Sequence, residues 1–166
     1  MTLGEIKKRY FGKDTEVTKQ KAHEVDSETV FDAWSKEKKT LHVRKNYPRP
    51  KKREVWMCVI GKNIGQEQSC KDGYVRPVLV LQVFGGLFWG IPITSSDPNG
   101  TKEKNPVYYK LDGMTYENEH GAEKELHGFL AFHQLRVLDS RRLKRKILRL
   151  DKKLFNTLRT KAKGMI

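Results

Sequence analysis

The chain is 166 residues long, with 34 Lys/Arg against 20 Asp/Glu for a net charge of +14, and its mean hydropathy is −0.73. That length fits one domain with an extension, and no apolar run approaches the ~18 residues that a membrane-crossing helix needs. The opening "MTLGEIKKRYFGK" lacks the apolar stretch of a signal peptide, so a cytoplasmic protein with no membrane partner is expected.

Charge is unevenly placed. Residues 1–53 hold 15 Lys/Arg and 8 Asp/Glu, residues 54–135 hold 7 and 10, and residues 136–166 hold 12 and 2. A slightly acidic centre flanked by two basic segments suits an anionic polymer or an acidic protein partner. The plain alternative is a solvated surface.

Residues 1–25 show weak periodicity and read as a loose lead. In "DSETVFDAWSKEKKTLHV" either Asp26 or Ser27 suits a helix cap, and Val30, Phe31, Trp34, Lys38 and Leu41 follow at helical spacing. "NYPRPKKRE" is a Pro-punctuated basic linker, which places a boundary near residue 50: an N-terminal extension over 1–50 and a domain over 51–166. The apolar material lies mainly between Glu54 and Leu138, and "EVWMCVIG" reads as a strand buried on both faces. After the polar loop "KNIGQEQSCKDGYV", two Val/Leu-rich runs flank Gly85-Gly86 in "RPVLVLQVFGGLFWGIPITSS". This is a hairpin whose two-residue turn needs the positive φ that glycine supplies.

If that ladder is uninterrupted, Arg76 lies opposite Ser95 and Pro77 opposite Thr94, with opposed Cβ atoms roughly 5 Å apart. A guanidinium and two hydroxyls then meet at the open end of an apolar ribbon. "SDPNGTKEKNP" is a turn-dense loop, "VYYKL" a short aromatic strand and "DGMTYENEHGAEKE" an acidic loop. "LHGFLAFHQLRVLD" carries the last strand, with His133 in it. From Asp139 or Ser140 a helix is expected to run through Lys163, with Leu143, Ile147, Leu150, Leu154 and Leu158 as an apolar stripe on a basic rod. About five short strands, no βαβ alternation and a terminal helix point to a small antiparallel barrel.

The chemistry-bearing residues follow from this layout. Arg76 offers a planar, permanently charged fork that matches a phosphate, and beside Thr94 and Ser95 it can stabilise charge on a phosphodiester. The plainer readings are a strand-end arginine paired with Glu67, and hydroxyls that form the turn before "DPNG". Glu67 and His133 are candidate acid/base groups, although a lone strand histidine also serves structure. Tyr74, Phe88, Trp89 and Tyr108 can stack bases or fill the core. The histidines have no metal-ligand spacing, and no phosphate-binding glycine loop or serine-hydrolase elbow occurs, so neither metal nor cofactor is expected. Cys58 and Cys70 read as reduced thiols. Metal-free acid/base chemistry on a phosphodiester suits RNA, which supplies its own 2′-hydroxyl nucleophile.

The ordered segments "EVWMCVIGKNIGQEQ", "GYVRPVLVL", "GLFWGIPITSS" and "LAFHQLRVLDSRRL" resemble the PemK/MazF family of toxin–antitoxin ribonucleases over roughly residues 53–160. The resemblance implies an SH3-like barrel with a C-terminal helix, a homodimer, metal-independent cutting of single-stranded RNA, and an acidic antitoxin that covers the RNA groove. Position by position, it implies that Arg76 and Thr94 are catalytic, with Glu67 the loop glutamate. It likewise implies that Ser95, Gln134 and Arg136 meet RNA, and Trp89 is a candidate beside them. Where plasmid-type members carry an aspartate base, this chain has His133. Its loop between Glu67 and Arg76 is longer than in compact members, and the extension before residue 50 lies outside the family pattern. The basic helix from Ser140 to Lys163 would hold the RNA backbone. Two other readings share the barrel: a gyrase-poisoning toxin, and a non-catalytic RNA- or protein-binding module.

Overall fold

The computed structural model describes residues 29–64, 67, 75–94 and 100–165. The expected caps Asp26 and Ser27, the lead over 1–25, and Cys70, Tyr74 and Ser95 lie outside the described residues. The chain divides into two compact units, 1–40 and 41–166. Helix α1 spans 29–42, and its buried side chains are Trp34 and Leu41. Phe31 and Lys38, expected on the same stripe, are exposed.

The second unit is mainly β. Its strands are β1 (Glu54–Val59), β2 (Val75–Phe84), β3 (Leu87–Thr94), β4 (Tyr108–Glu117), β5 (Glu123–Ala131), β6 (Arg136–Asp139) and β7 (Leu143–Arg149), followed by helix α2 (Lys152–Lys163). All pairings are antiparallel, in the order β4-β5-β3-β2-β1-β7, with β6 also on β3. The first half of β3, Leu87–Gly90, pairs with β6, and its last residues, Ile93 and Thr94, pair with β5. The changeover falls at Ile91 and Pro92, where proline offers no N–H to a ladder.

A single 3₁₀ turn, Ser140–Arg142, links β6 to β7. Because β6 flanks β3 while β7 flanks β1, this short link joins the two edges of β3-β2-β1 into a five-stranded ring. Side chains alternate across the ring wall. One face gathers Cys58, Ile60, Val78, Val80, Phe88, Leu138 and Leu143 into a buried cluster. The other face, with Leu79, Ile91, Ile93 and Leu130, packs against Phe155, Leu158 and Ala162 of α2. Gly90 is required at the inner face: a Cβ there would stand 2.6 Å from Val78 Cγ1 and 3.0 Å from Leu138 Cδ1.

Several sequence expectations are corrected. The long basic helix from Asp139 or Ser140 does not form: Leu143 and Ile147 are buried on strand β7, and the helix begins only after Asp151, which caps it by accepting from the Leu154 amide at 2.9 Å. A four-residue spacing is a whole number of strand repeats and nearly one helical turn, so Leu143 and Ile147 fit either period. The need of β1 for a second neighbour decides for the strand. The apolar core consequently runs on past Leu138, through Leu143, Ile147, Leu150, Phe155 and Leu158. The acidic loop is largely strand as well, because β4 continues to Glu117 and β5 begins at Glu123. Of the two turn glycines, Gly85 alone has positive φ, at 61°. That is the first-position requirement of a type II′ turn.

Cys58 is a free, fully buried thiol. Burial pushes its pKa from 9.0 up to about 12, with Arg142 and Arg136 pulling weakly the other way. The folded value lies above the unfolded one, so between those two values the unfolded chain gives up this proton while the folded chain keeps it. Stability is therefore expected to fall as pH rises above 9, by about 1.4 kcal/mol per pH unit at most. Urea melts at pH 8, 9 and 10 of wild type and Cys58→Ala check this: the variant should lack that part of the slope, and parallel slopes would refute it.

Candidate functional site

Arg76 lies near the start of β2, opposite Cys58 of β1. From the turn, β2 and β3 pair as Phe84↔Leu87, Val83↔Phe88 and Gln82↔Trp89, then shift to Val80↔Gly90, Leu79↔Ile91 and Val78↔Pro92. The extra residue is Leu81, a one-residue bulge in β2. A slip of one changes which residues share a level. Arg76 and Thr94 each lie two residues beyond the last pair, Val78↔Pro92, so that register, continued past the ladder, would set them level. The uninterrupted ladder had set Thr94 opposite Pro77. Strand alternation puts Arg76 on the face of Val78 and Val80, and Thr94 on the face of Phe88 and Gly90, which is the inner face of the ring for both.

Thr94 is buried, and Phe129 of β5 lies directly across from it. Lys102 Nζ donates to Thr94 Oγ1 at 3.2 Å. The same ammonium stands 5.6 Å from the centre of the Tyr108 ring and 5.9 Å from that of Phe129. Tyr108 meets the His133 ring edge-on at 5.0 Å. A connected series thus runs from Thr94 through Lys102 and Tyr108 to His133. The structure places His133 in the 3₁₀ turn Phe132–Gln134 rather than in a strand, exposed to solvent. The corner between β5 and β6 needs a turn there.

Arg136 is opposite Gly90 on β3, roughly 13 Å along the strand from Thr94. Its Nη2 donates to Gln134 Oε1 at 2.9 Å, so the two expected RNA contacts hold each other. Arg142 donates to the Val59 carbonyl at 3.0 Å. Arg136 and Arg142 both act electrostatically on Cys58, the residue opposite Arg76. Arg136 and Arg142 thus stand near Cys58, whose backbone partner on β2 is Arg76.

Glu67 is exposed, its amide donating to the Ile64 carbonyl at 3.1 Å, and the described contacts do not carry it to Arg76. Trp89 points to the opposite face of β3 from Thr94, where it meets Phe84 edge-on at 5.2 Å. Phe88, a candidate base-stacking residue, is fully buried in the ring. Among the described residues no group of three His, Cys, Asp or Glu is placed to hold a metal. Sequence reasoning missed Lys102. It sits in "GTKEKNP", where neither periodicity nor motif separates it from Lys104.

Gly128 fixes Thr94 from the other side. Its φ is 147°, and a Cβ there would stand 2.7 Å from the Thr94 carbonyl oxygen. Gly128→Ala is expected to cost about 1–3 kcal/mol through strain and to move the Thr94 backbone. A thermal melt and the Thr94 amide chemical shift check both; a variant that leaves the melt and the shift unchanged would show that this contact constrains nothing.

Residues 51–166 match the family described as PemK-like, MazF-like toxins of type II toxin–antitoxin systems. No curated protein sequence matches. Twenty-two solved chains match in structure. One is an endoribonuclease in complex with its cognate antitoxin from a mycobacterial species, at 13% identity and a TM-score of 0.43, covering 71% of this chain and 98% of that one.

Proposed function

The chain belongs to the family of PemK-like, MazF-like toxins of type II toxin–antitoxin systems, and from that premise we propose that it is an endoribonuclease that cuts single-stranded RNA at chosen sequences without a metal ion. The observation that carries this reading is the bond from Lys102 to the Thr94 hydroxyl, at the end of the ribbon where Arg76 and Thr94 each follow the last β2–β3 pair by two residues. Accepting from an ammonium leaves the Thr94 O–H to donate outward, toward a phosphate oxygen. The site is built from cations and a hydroxyl, groups that suit an anion and not a metal ion.

In the proposed reaction the RNA 2′-oxygen attacks the adjacent phosphorus and the bond to the 5′-oxygen breaks. A general base takes the 2′-hydroxyl proton and a general acid returns one to the leaving oxygen. The products are a cyclic phosphate and a free 5′-hydroxyl. Arg76 holds the phosphate and stabilises the charge that builds on its oxygens. His133 is preferred over Glu67 as the acid/base group, because it belongs to the series through Tyr108 and Lys102. Gln134, Arg136 and Ser95 are assigned to RNA contacts.

We further assign residues 51–166 to the toxin domain and 1–50 to an extension. The protein would act in the cytoplasm as a homodimer, and an acidic antitoxin segment would cover the basic face. The test is incubation of purified protein with a long single-stranded RNA in EDTA, followed by mapping of the ends. Discrete cuts with 5′-hydroxyl ends are expected. RNA that survives intact would mean a barrel that binds without cutting, or one that acts on gyrase.

A further inference from the structure

Tyr108 takes no direct part in the proposed reaction, yet its ring meets Lys102 and His133 together. It opens β4 and is half-buried. Lys102 Nζ stands 5.6 Å from its ring centre, inside the ~6 Å over which a cation is drawn to an aromatic face. The same ring meets the His133 imidazole at 5.0 Å with an interplanar angle of 76°. Phe129 backs it at 6.4 Å and 86°. One ring thus joins the ammonium bonded to Thr94 with the imidazole preferred as the acid/base group.

The backbone that carries these groups is bonded to itself. The Asn105 amide donates to the Lys102 carbonyl at 3.1 Å, and the Tyr108 amide to the Asn105 carbonyl at 3.0 Å. Tyr108 pairs with Ala131 of β5, and the Phe132 amide donates to the Val107 carbonyl at 2.9 Å, one residue before His133. All three side chains therefore leave a fixed backbone, and their own rotamers remain to be set. A lysine gives up much freedom when it is held in one place, and its ammonium is strongly hydrated. An aliphatic residue at 108 would leave that ammonium drawn toward water. His133 is exposed, and its ring contact among the described residues is with Tyr108.

We propose that Tyr108 is a positioning residue for RNA cleavage: its ring keeps the Lys102 ammonium on the Thr94 hydroxyl and orients the His133 imidazole toward the same site. The assignment rests on the ribonuclease reading of the preceding subsection. It gives Tyr108 a task other than stacking on a base. The phenol oxygen is not needed for that task, since face and edge belong to the ring alone.

The test compares wild type, Tyr108→Phe and Tyr108→Leu in single-turnover cleavage of one RNA over a range of protein concentrations, with circular dichroism for the fold. Tyr108→Leu is expected to lower the maximal rate about 10- to 100-fold, as misplaced catalytic groups do, and to change the half-saturating protein concentration less than about twofold. Tyr108→Phe restores most of the rate. In wild type, nuclear Overhauser contacts are expected from the Tyr108 ring protons to the Lys102 ε-methylene and to the His133 ring. Their absence overturns the assignment whether or not the leucine variant folds. A Tyr108→Leu protein that cuts at the wild-type rate also overturns it, and leaves the ribonuclease reading standing. An unchanged maximal rate with weaker RNA binding would make Tyr108 a base-stacking residue, which overturns it as well. A wild type that cuts no RNA ends the ribonuclease reading and this assignment with it.

Discussion

Arg76→Ala is expected to lower the rate of RNA cleavage about 10²- to 10³-fold, the usual cost of removing one preorganised donor from a developing oxyanion. The residue is half-buried near the start of β2, and the proposed function has it hold the scissile phosphate beside Thr94. Arg76→Lys should recover only part of the activity, because an ammonium cannot make the paired contacts of the planar fork. Single-turnover cleavage of one RNA by the three proteins measures this, with circular dichroism to show that the fold is kept. If Arg76→Ala cuts at the wild-type rate, the scissile phosphate is bound elsewhere on the protein.

Phe88→Ala is expected to cost about 3–5 kcal/mol and to lower Tm by roughly 10–20 °C. Phe88 is fully buried and is the first of the large core side chains. It fills the ring beside Val78, Val80, Leu138 and Leu143, which come from three different strands. The neighbours are held from collapsing into the hole because their strands are hydrogen-bonded in the sheet, β2 to β1 and β3, β6 to β3 and β7 to β1. A change in Tm below about 3 °C would mean that the ring interior is loosely filled.

The barrel and its hairpin were legible because each rests on a short-range signal: Val/Leu runs and a Gly-Gly turn. What was not legible depends on distant partners. Leu143 and Ile147 satisfy two periods at once, and β1, some ninety residues earlier, chooses between them. Thr115 and Tyr116 are good strand residues, but the acidic neighbours around them read as loop until β5 is there to pair. The bulge at Leu81 has no glycine or proline to announce it, yet it shifts the ladder by one, so that Val78 rather than Leu79 faces Pro92. Lys102 gains its meaning only from the hydroxyl it reaches across eight residues of chain.

The short link between β6 and β7 also bears on how the protein comes into being. Glu54 pairs with Arg149, so the ring closes only after the chain from β1 to the end of β7 is present. Contacts between residues so far apart in sequence make folding slow, on the scale of milliseconds to seconds. A chain still emerging from the ribosome therefore has β1 with a single neighbour and Leu143 not yet in place. Its β2–β3 hairpin can pair locally, but Arg142, whose guanidinium bonds the Val59 carbonyl, is not yet in place. The complete site comes into being last, once the whole molecule is made.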